Sequence, residues 1–233
     1  MNLALQGRGL ICLVTDRRRL TVDGGGEQAT GARLVEIVGA AARAGVDVVQ
    51  VREPDLEARG LSLLVAGCVR ATEGTVARVV VNDRIDVALT TGAAGVHLRG
   101  DGPPANRVRQ IAPPGFLIGR SVHSAAEGAR LAEQGGLDYL IFGTVFPSTS
   151  KDPEHPVAGI PELERAVRLA KIPVLAIGGM TPERAAEAAG AGAAGVAAIS
   201  LFRVSPGAGN LDRQLNEVVG KLRRAFDSVR VVT

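Results

Sequence analysis

Aromatic side chains are scarce in this chain: five Phe, one Tyr and no Trp, 3% of 233 residues. So few rings exclude a stacking platform for single-stranded nucleic acid. Charge argues the same way. Lys and Arg number 27 against 24 Asp and Glu, a net charge of +3, and the arginines are dispersed rather than gathered in a basic tract. Cysteine is nearly absent. Cys12 and Cys68 each sit in an apolar segment, outside any metal-spaced cluster, and read as reduced core residues of a cytoplasmic protein. No apolar stretch reaches the roughly 18 residues of a membrane span. Gln6, Gly7 and Arg8 interrupt the start of the chain, where a secretory signal needs an apolar run. The partner left by these exclusions is an anionic small molecule, with no nucleic acid and no membrane. The sequence allows a homo-oligomer without specifying one.

Small aliphatic residues are what the chain has in quantity. Hydrophobic residues make up 46%, so the core must be built from Ala, Val, Leu and Ile, as in parallel α/β proteins. The most informative stretch is residues 172–200. An apolar run, Ile172 to Ile177, meets Gly178 and Gly179. Thr181 then offers an N-cap, with Pro182 at the first helical position, and a second apolar run from Gly195 to Ile199 stops at Ser200. That is strand, turn, helix, strand. A Gly-Gly turn ahead of a helix start lets backbone N–H groups approach an anion; the alternative is a tight turn without a ligand.

The same alternation runs through the chain. Strands are expected at Leu10–Val14, Val46–Val51, Arg78–Val81, Gly95–Leu98, Phe116–Val122 and Asp138–Phe142, ahead of the two just described. Helices are expected at Ala32–Ala44, from an Asp55 cap to about Thr72, at Ile85–Thr90, around Arg107–Ile111, from the capping box Ser124–Glu127, at Pro161–Leu169 and at Asn210–Phe226. Residues 1–233 therefore read as a single domain of the α/β class, a single (β/α)8 TIM barrel. An open doubly wound sheet is the runner-up. It usually carries a glycine-rich fingerprint after its first strand, where this chain has Thr15-Asp16-Arg17-Arg18.

Polar residues gather just after the expected strands, at ends that converge on one mouth in such a barrel. They are Gln50, Arg52 and Glu53; Asn82, Asp83 and Arg84; His97; Ser121 and His123; Ser148, Ser150 and Lys151; Gly178 and Gly179; and Ser200. His123 is the candidate general acid/base, since imidazole titrates near neutral pH; the alternative is a strand-end imidazole paired with a backbone carbonyl. His97 lies inside a strand and reads as structural. Asp83 either ligates magnesium with Asn82 or caps the short helix beside it. Arg52 suits an anionic group, or pairs with Glu53. Ser148, Ser150 and Lys151 are spaced like a phosphate-holding loop, or form an ordinary polar one.

Taken in order, VQVRE, VNDRIDVAL, GVHL, GRSVHS, DYLIFGTVFPSTSK, AIGGMTPER and GVAAIS resemble the thiamine phosphate synthase/TenI superfamily. The resemblance implies a barrel acting on thiazole phosphate in thiamine biosynthesis. It implies substrate contacts at Gln50, Arg52, Asn82, Ser121, Ser148, Ser150 and Lys151, all but Ser121 belonging to the pattern of a thiamine phosphate synthase, which joins an aminopyrimidine pyrophosphate to thiazole phosphate with Mg2+. Two places depart from that pattern: Pro54 stands where a lysine is expected, and Gly102 where an acidic metal ligand is expected, with Asp101 one place early. For a TenI-type thiazole tautomerase, which aromatises a carboxythiazole phosphate and needs no cofactor, it implies His123 as the proton shuttle and Gly178, Gly179 and Ser200 as the phosphate site. GRSVHS and AIGGMTPER look like that subgroup. The leading expectation is therefore the tautomerase, an isomerase. The synthase, a transferase with Asp83 and Asp101 holding the metal, comes second. A non-catalytic barrel that binds thiamine intermediates and regulates something else is the third reading.

Overall fold

The computed structural model describes residues 9–20, 26–148, 156–203 and 210–230. Eight parallel strands form one closed barrel in chain order, β1 (Leu10–Val14), β2 (Val48–Val51), β3 (Arg78–Asn82), β4 (Gly95–Leu98), β5 (Leu117–Val122), β6 (Tyr139–Phe142), β7 (Val174–Ile177) and β8 (Gly195–Ala198), with β8 pairing back onto β1. The helices are α1 (Glu27–Arg43), α2 (Ala58–Ala71), α3 (Ile85–Thr90), α4 (Ala105–Ile111), α5 (Ala125–Glu133), α6 (Gly159–Ala170), α7 (Pro182–Gly190) and α8 (Leu211–Arg230). The (β/α)8 barrel is thus the fold, and the open sheet is excluded by the β1–β8 pairing.

Alternation along each strand splits the core in two. One face packs on the helices through residues such as Ile11, Val49, Val81, Ile118 and Leu140. The other fills the barrel with Leu10, Cys12, Val14, Val48, Val80, Leu117, Tyr139, Ile141, Leu175 and Ala197. Tyr139 is the one large ring inside. It fits because Gly119 lies opposite it in register, where a Cβ would overlap the phenol ring. Both cysteines are buried and free, and burial pushes each thiol up to about 12, so neither is poised to react. Among the described residues no helix is long and apolar enough to cross a membrane.

Several boundaries differ from the sequence reading. Helix α1 starts at Glu27 rather than Ala32, because its first turns (Glu27, Gln28, Ala29, Thr30) are largely polar and carry no apolar periodicity. Helix α8 continues past Phe226 to Arg230. Asp55 does not cap α2. Glu57 is the N-cap residue, without a side-chain bond, while both Asp55 oxygens accept from Arg17 Nη1 at 2.8 Å. A carboxylate gains more from a guanidinium than from one amide.

The base of the barrel is clamped twice in the same way. Asp47, just before β2, accepts the Ile11 N–H of β1 at 2.8 Å and Arg223 of α8 at 2.6 Å. Four strands on, Asp138 before β6 accepts the Ile118 N–H of β5 at 2.7 Å and Arg109 of α4 at 2.6 Å. Arg223 also reaches the carbonyls of Gly9 and Gly45. Removing Asp47 leaves the buried Ile11 amide without an acceptor and the mostly covered Arg223 guanidinium without its counter-charge. Asp47→Ala should lower stability by about 3 kcal/mol in urea unfolding. Turnover of the folded protein should be unchanged, because Asp47 lies at the end opposite the functional mouth. A loss under about 1 kcal/mol would show that the clamp acts as a surface pair.

Candidate functional site

At the C-terminal ends of β2, β3 and β4 a row of hydrogen bonds forms because Gln50, Asn82 and His97 lie at or one residue before the ends of their strands. Gln50 Nε2 donates to Asn82 Oδ1 at 2.9 Å, and Asn82 Nδ2 donates to Asp83 Oδ2 at 3.0 Å. The Asp83 N–H donates to the His97 carbonyl at 2.9 Å, holding Asp83 at φ +59°. Asp83 Oδ1 accepts the Arg99 N–H at 2.7 Å. So Asp83 does not cap α3, whose N-cap is Arg84 without a side-chain bond. The Arg99 Nε lies 2.9 Å from Asp83 Oδ2 and 3.4 Å from Asp101 Oδ1. One cation therefore stands between both carboxylates.

Asp101 reaches that position although it comes one residue early in the resemblance. The Arg99 carbonyl accepts the Gly102 N–H at 3.1 Å, turning the loop. Buried Arg120 of β5 then gathers the carbonyls of Gly100, Gly102 and Pro103. Gly102 thus lends the loop a carbonyl rather than a carboxylate. The cation between Asp83 and Asp101 is the observation that tests a magnesium site, and the donor set fits one. Two carboxylates with substrate phosphate oxygens suffice for Mg2+, and Arg99 is two-thirds exposed, so it can move aside. Among the described residues no cluster of three His, Cys, Asp or Glu exists that could hold a metal by itself.

Arg52 follows β2. Its N–H donates to Thr15 Oγ1 at 2.9 Å, while its guanidinium has no partner among the described residues. The alternative pairing with Glu53 does not form. Buried Glu53 accepts from Thr15 Oγ1 at 2.6 Å and from the Arg17 N–H at 3.1 Å, and burial pushes its carboxyl upward despite these donors. Pro54 is exposed beside this cluster. Arg52 is left as a half-buried cation without a carboxylate partner among the described residues.

A second chain of bonds crosses β4, β5 and β6. His97 Nδ1 lies 3.2 Å from the Tyr139 hydroxyl, and Nε2 lies 2.9 Å from Ser121 Oγ. Burial, with Arg120 nearby, pushes His97 down to about 3, so its imidazole is neutral at working pH. His123, by contrast, is exposed at the end of β5. Its Nδ1 lies 2.6 Å from the Gly143 carbonyl, so Nδ1 carries a proton, and Nε2 has no partner among the described residues. Its backbone N–H donates to Glu127 Oε2 at 2.7 Å. Glu127 is therefore only half of the expected capping box. Ser124 Oγ accepts the Glu127 N–H at 3.2 Å, but the Glu127 carboxylate holds His123 instead of Ser124.

After β7, Gly178 and Gly179 adopt φ +106° and +62°. A Cβ on either would overlap the loop after β6, at Thr144 and at Pro147. The Phe146 N–H donates to the Gly178 carbonyl at 3.3 Å, and Arg184 stacks on Phe146 at 4.9 Å while bonding the Gly179 carbonyl at 2.6 Å. Among the described residues no acceptor takes the N–H groups of Gly178, Gly179 or Ser200. Thr181 caps α7 through the Arg184 N–H, with Pro182 at its first position as expected. Ser200 opens a 3-10 turn after β8. Ser148 follows Phe146 and Pro147 in the loop pinned to this turn, whereas Ser150, Lys151 and His155 lie outside the described residues.

Among the described candidates, two bonded rows and one glycine turn are brought to the mouth, with no direct bond between His123 and the Gln50 row. Arg99, Arg120 and Arg184 were not singled out in the sequence, and Glu127 was read only as a helix cap. Only Arg99, two residues before Asp101, carried a readable signal.

The sequence profile described as thiamine monophosphate synthase matches residues 20–202. A thiamine-phosphate synthase of Roseiflexus castenholzii is 37% identical over 216 residues, 92% of this chain and 90% of that protein. Another, of Methanoculleus marisnigri, is 41% identical over 160 residues, 69% of this chain and 75% of that protein. Among solved structures, thiamine phosphate pyrophosphorylase from Pyrococcus furiosus superposes with a TM-score of 0.75 at 30% identity, covering 94% of this chain and 96% of that one.

The neutral His97 sets a pH dependence. Its folded value of about 3 lies below the ordinary 6.5. Between these values the unfolded chain binds a proton that the folded chain does not. Stability should therefore fall as pH drops below 6.5, by up to about 1.4 kcal/mol per unit from this residue. Unfolding free energies of His97→Asn should decline less steeply over the same window. Parallel declines would contradict the buried neutral assignment.

Proposed function

Since the chain belongs to the thiamine monophosphate synthase family, we propose that it is a thiamine-phosphate synthase, joining an aminopyrimidine pyrophosphate to thiazole phosphate. The reaction breaks the carbon–oxygen bond to pyrophosphate and forms a carbon–nitrogen bond to the thiazole ring. The convergence of Asp83 and Asp101 on one cation carries this reading, because it supplies the acidic pair that Gly102 had put in doubt. The names of the relatives favour it over the tautomerase.

The parts divide as follows. Arg52, with no competing carboxylate, binds the pyrophosphate, together with the loop carrying Ser148, Ser150 and Lys151. Gln50 and Asn82 hold each other's amide orientation and hold Asp83 in place. Mg2+ held by Asp83 and Asp101 would neutralise the charge developing on the departing pyrophosphate. The unclaimed N–H groups of Gly178, Gly179 and Ser200 cradle the phosphate of the thiazole. The residues act as one domain on small-molecule substrates.

One observation favours a second reading. The His123 Nε2 is unpartnered among the described residues at the mouth, with its ring fixed by Gly143, as proton transfer in a thiazole tautomerase would need.

Purified protein given both synthase substrates and magnesium should form thiamine phosphate and release pyrophosphate. Arg52→Ala should raise the KM for the pyrimidine substrate by about 10- to 100-fold, the scale of one charged contact, with the fold intact by circular dichroism. No product from folded protein would sink the synthase. If carboxythiazole phosphate then exchanged its ring proton, and His123→Ala abolished that exchange, the tautomerase would replace it.

A further inference from the structure

The buried chain Tyr139–His97–Ser121 has a direction. His97 is 1% exposed and Tyr139 wholly buried, inside the barrel below the mouth. Ser121 is half-buried above them, on the inward face of β5. Neutral imidazole carries one N–H and one lone pair, so two arrangements fit the distances of 3.2 Å to Tyr139 and 2.9 Å to Ser121. In one, Nδ1–H donates to the Tyr139 oxygen and Ser121 donates to Nε2. The phenolic proton then has no acceptor, since Tyr139 has no other partner among the described residues. Cys12, its neighbour in the barrel, directs its Sγ to the Leu13 carbonyl instead. A buried hydroxyl without an acceptor is strongly disfavoured. In the other arrangement the Tyr139 hydroxyl donates to Nδ1, Nε2–H donates to Ser121 Oγ, and every buried proton is used. Only the Ser121 proton is left over, and no described residue claims it.

We propose that Tyr139 and His97 are positioning residues forming a one-way hydrogen-bond relay. The relay occupies one Ser121 lone pair with Nε2–H and leaves the hydroxyl proton free at the barrel mouth, so a substrate acceptor, such as a phosphate oxygen or an unprotonated ring nitrogen, is what it is set to meet. In the opposite arrangement that proton would be spent on Nε2 and Ser121 could offer the substrate only lone pairs. The relay also explains the packing: Gly119 admits the phenol ring, and the two rings sit 5.6 Å apart at 33°. The assignment of the substrate contact rests on the synthase reading. The direction of the relay does not.

Nitrogen-15 NMR of the whole protein, with the His97 signals identified by their loss in His97→Gln, reads the tautomer directly. Nε2 should be protonated and Nδ1 bare throughout the pH range in which the protein stays folded. A protonated Nδ1 would overturn the proposal, and needs no variant to be seen. Tyr139→Phe should shift the tautomer towards Nδ1–H and lower kcat/KM about tenfold, the scale of one well-aligned hydrogen bond. In a Ser121→Ala background the same change should cost little. An equal loss in both backgrounds would mean that Tyr139 acts through packing alone and would also overturn the relay. If the protein makes no thiamine phosphate, the synthase reading falls, while the tautomer still decides the relay.

Discussion

The mouth depends on a row of side-chain hydrogen bonds carried across the adjacent strands β2, β3 and β4. Gln50 lies one residue before the end of β2 and Asn82 ends β3, adjacent strands that bring the two side chains into contact. Their amide bond orients Asn82, and Asn82 in turn orients Asp83. The Asp83 N–H closes onto the His97 carbonyl of β4. Each bond is individually modest. Its effect here is geometric, because it removes the rotational freedom of a carboxylate that must face a single cation. Slipping β3 by one residue would turn Asn82 away from the interior and dissolve the row.

The two ends of the barrel share labour. At the base, Asp47 with Arg223 and Asp138 with Arg109 satisfy strand N–H groups and helix guanidinium groups together. Nothing is left over there for a ligand. At the mouth the accounting is incomplete. The Arg52 guanidinium, the His123 Nε2 and the N–H groups of Gly178, Gly179 and Ser200 have no acceptor or donor among the described residues. Two kinds of unmatched group, cationic donors and backbone amides, suit a substrate pair in which both members carry phosphates. The mostly aliphatic core below supplies a rigid floor whose polar groups, Tyr139 and His97, are bonded to each other and to Ser121.

Much of this was legible in the sequence, for identifiable reasons. Strands β1 and β4 and helix α3 fall at their expected residues because apolar runs there end abruptly at Gly, Thr or Asp. Thr181 and Pro182 announced α7 because capping chemistry is local. Gln50, Asn82 and Ser121 were recognisable from their places at strand ends. What stayed hidden was non-local. No spacing reveals that Asp55 turns to Arg17, 38 residues away, instead of capping its own helix. None reveals that Glu127 holds the backbone of His123, or that Arg120 gathers the carbonyls of Gly100, Gly102 and Pro103 in a loop whose Asp101 shares Arg99 with Asp83. The order of the tautomerase and synthase readings turned on Pro54, Gly102 and the motifs GRSVHS and AIGGMTPER, and the names of the relatives favour the opposite order.

The most direct test is whether Asp83 and Asp101 share one cation with a diphosphate. Manganese(II), standing in for magnesium, can be titrated into the protein by electron paramagnetic resonance, with and without inorganic pyrophosphate. The account predicts weak binding of the metal alone, tight binding once pyrophosphate is present, and loss of that enhancement in both Asp83→Asn and Asp101→Asn. Enhancement that survives in Asp101→Asn would contradict the account, because the acidic pair would then be an ion pair with Arg99 and nothing more.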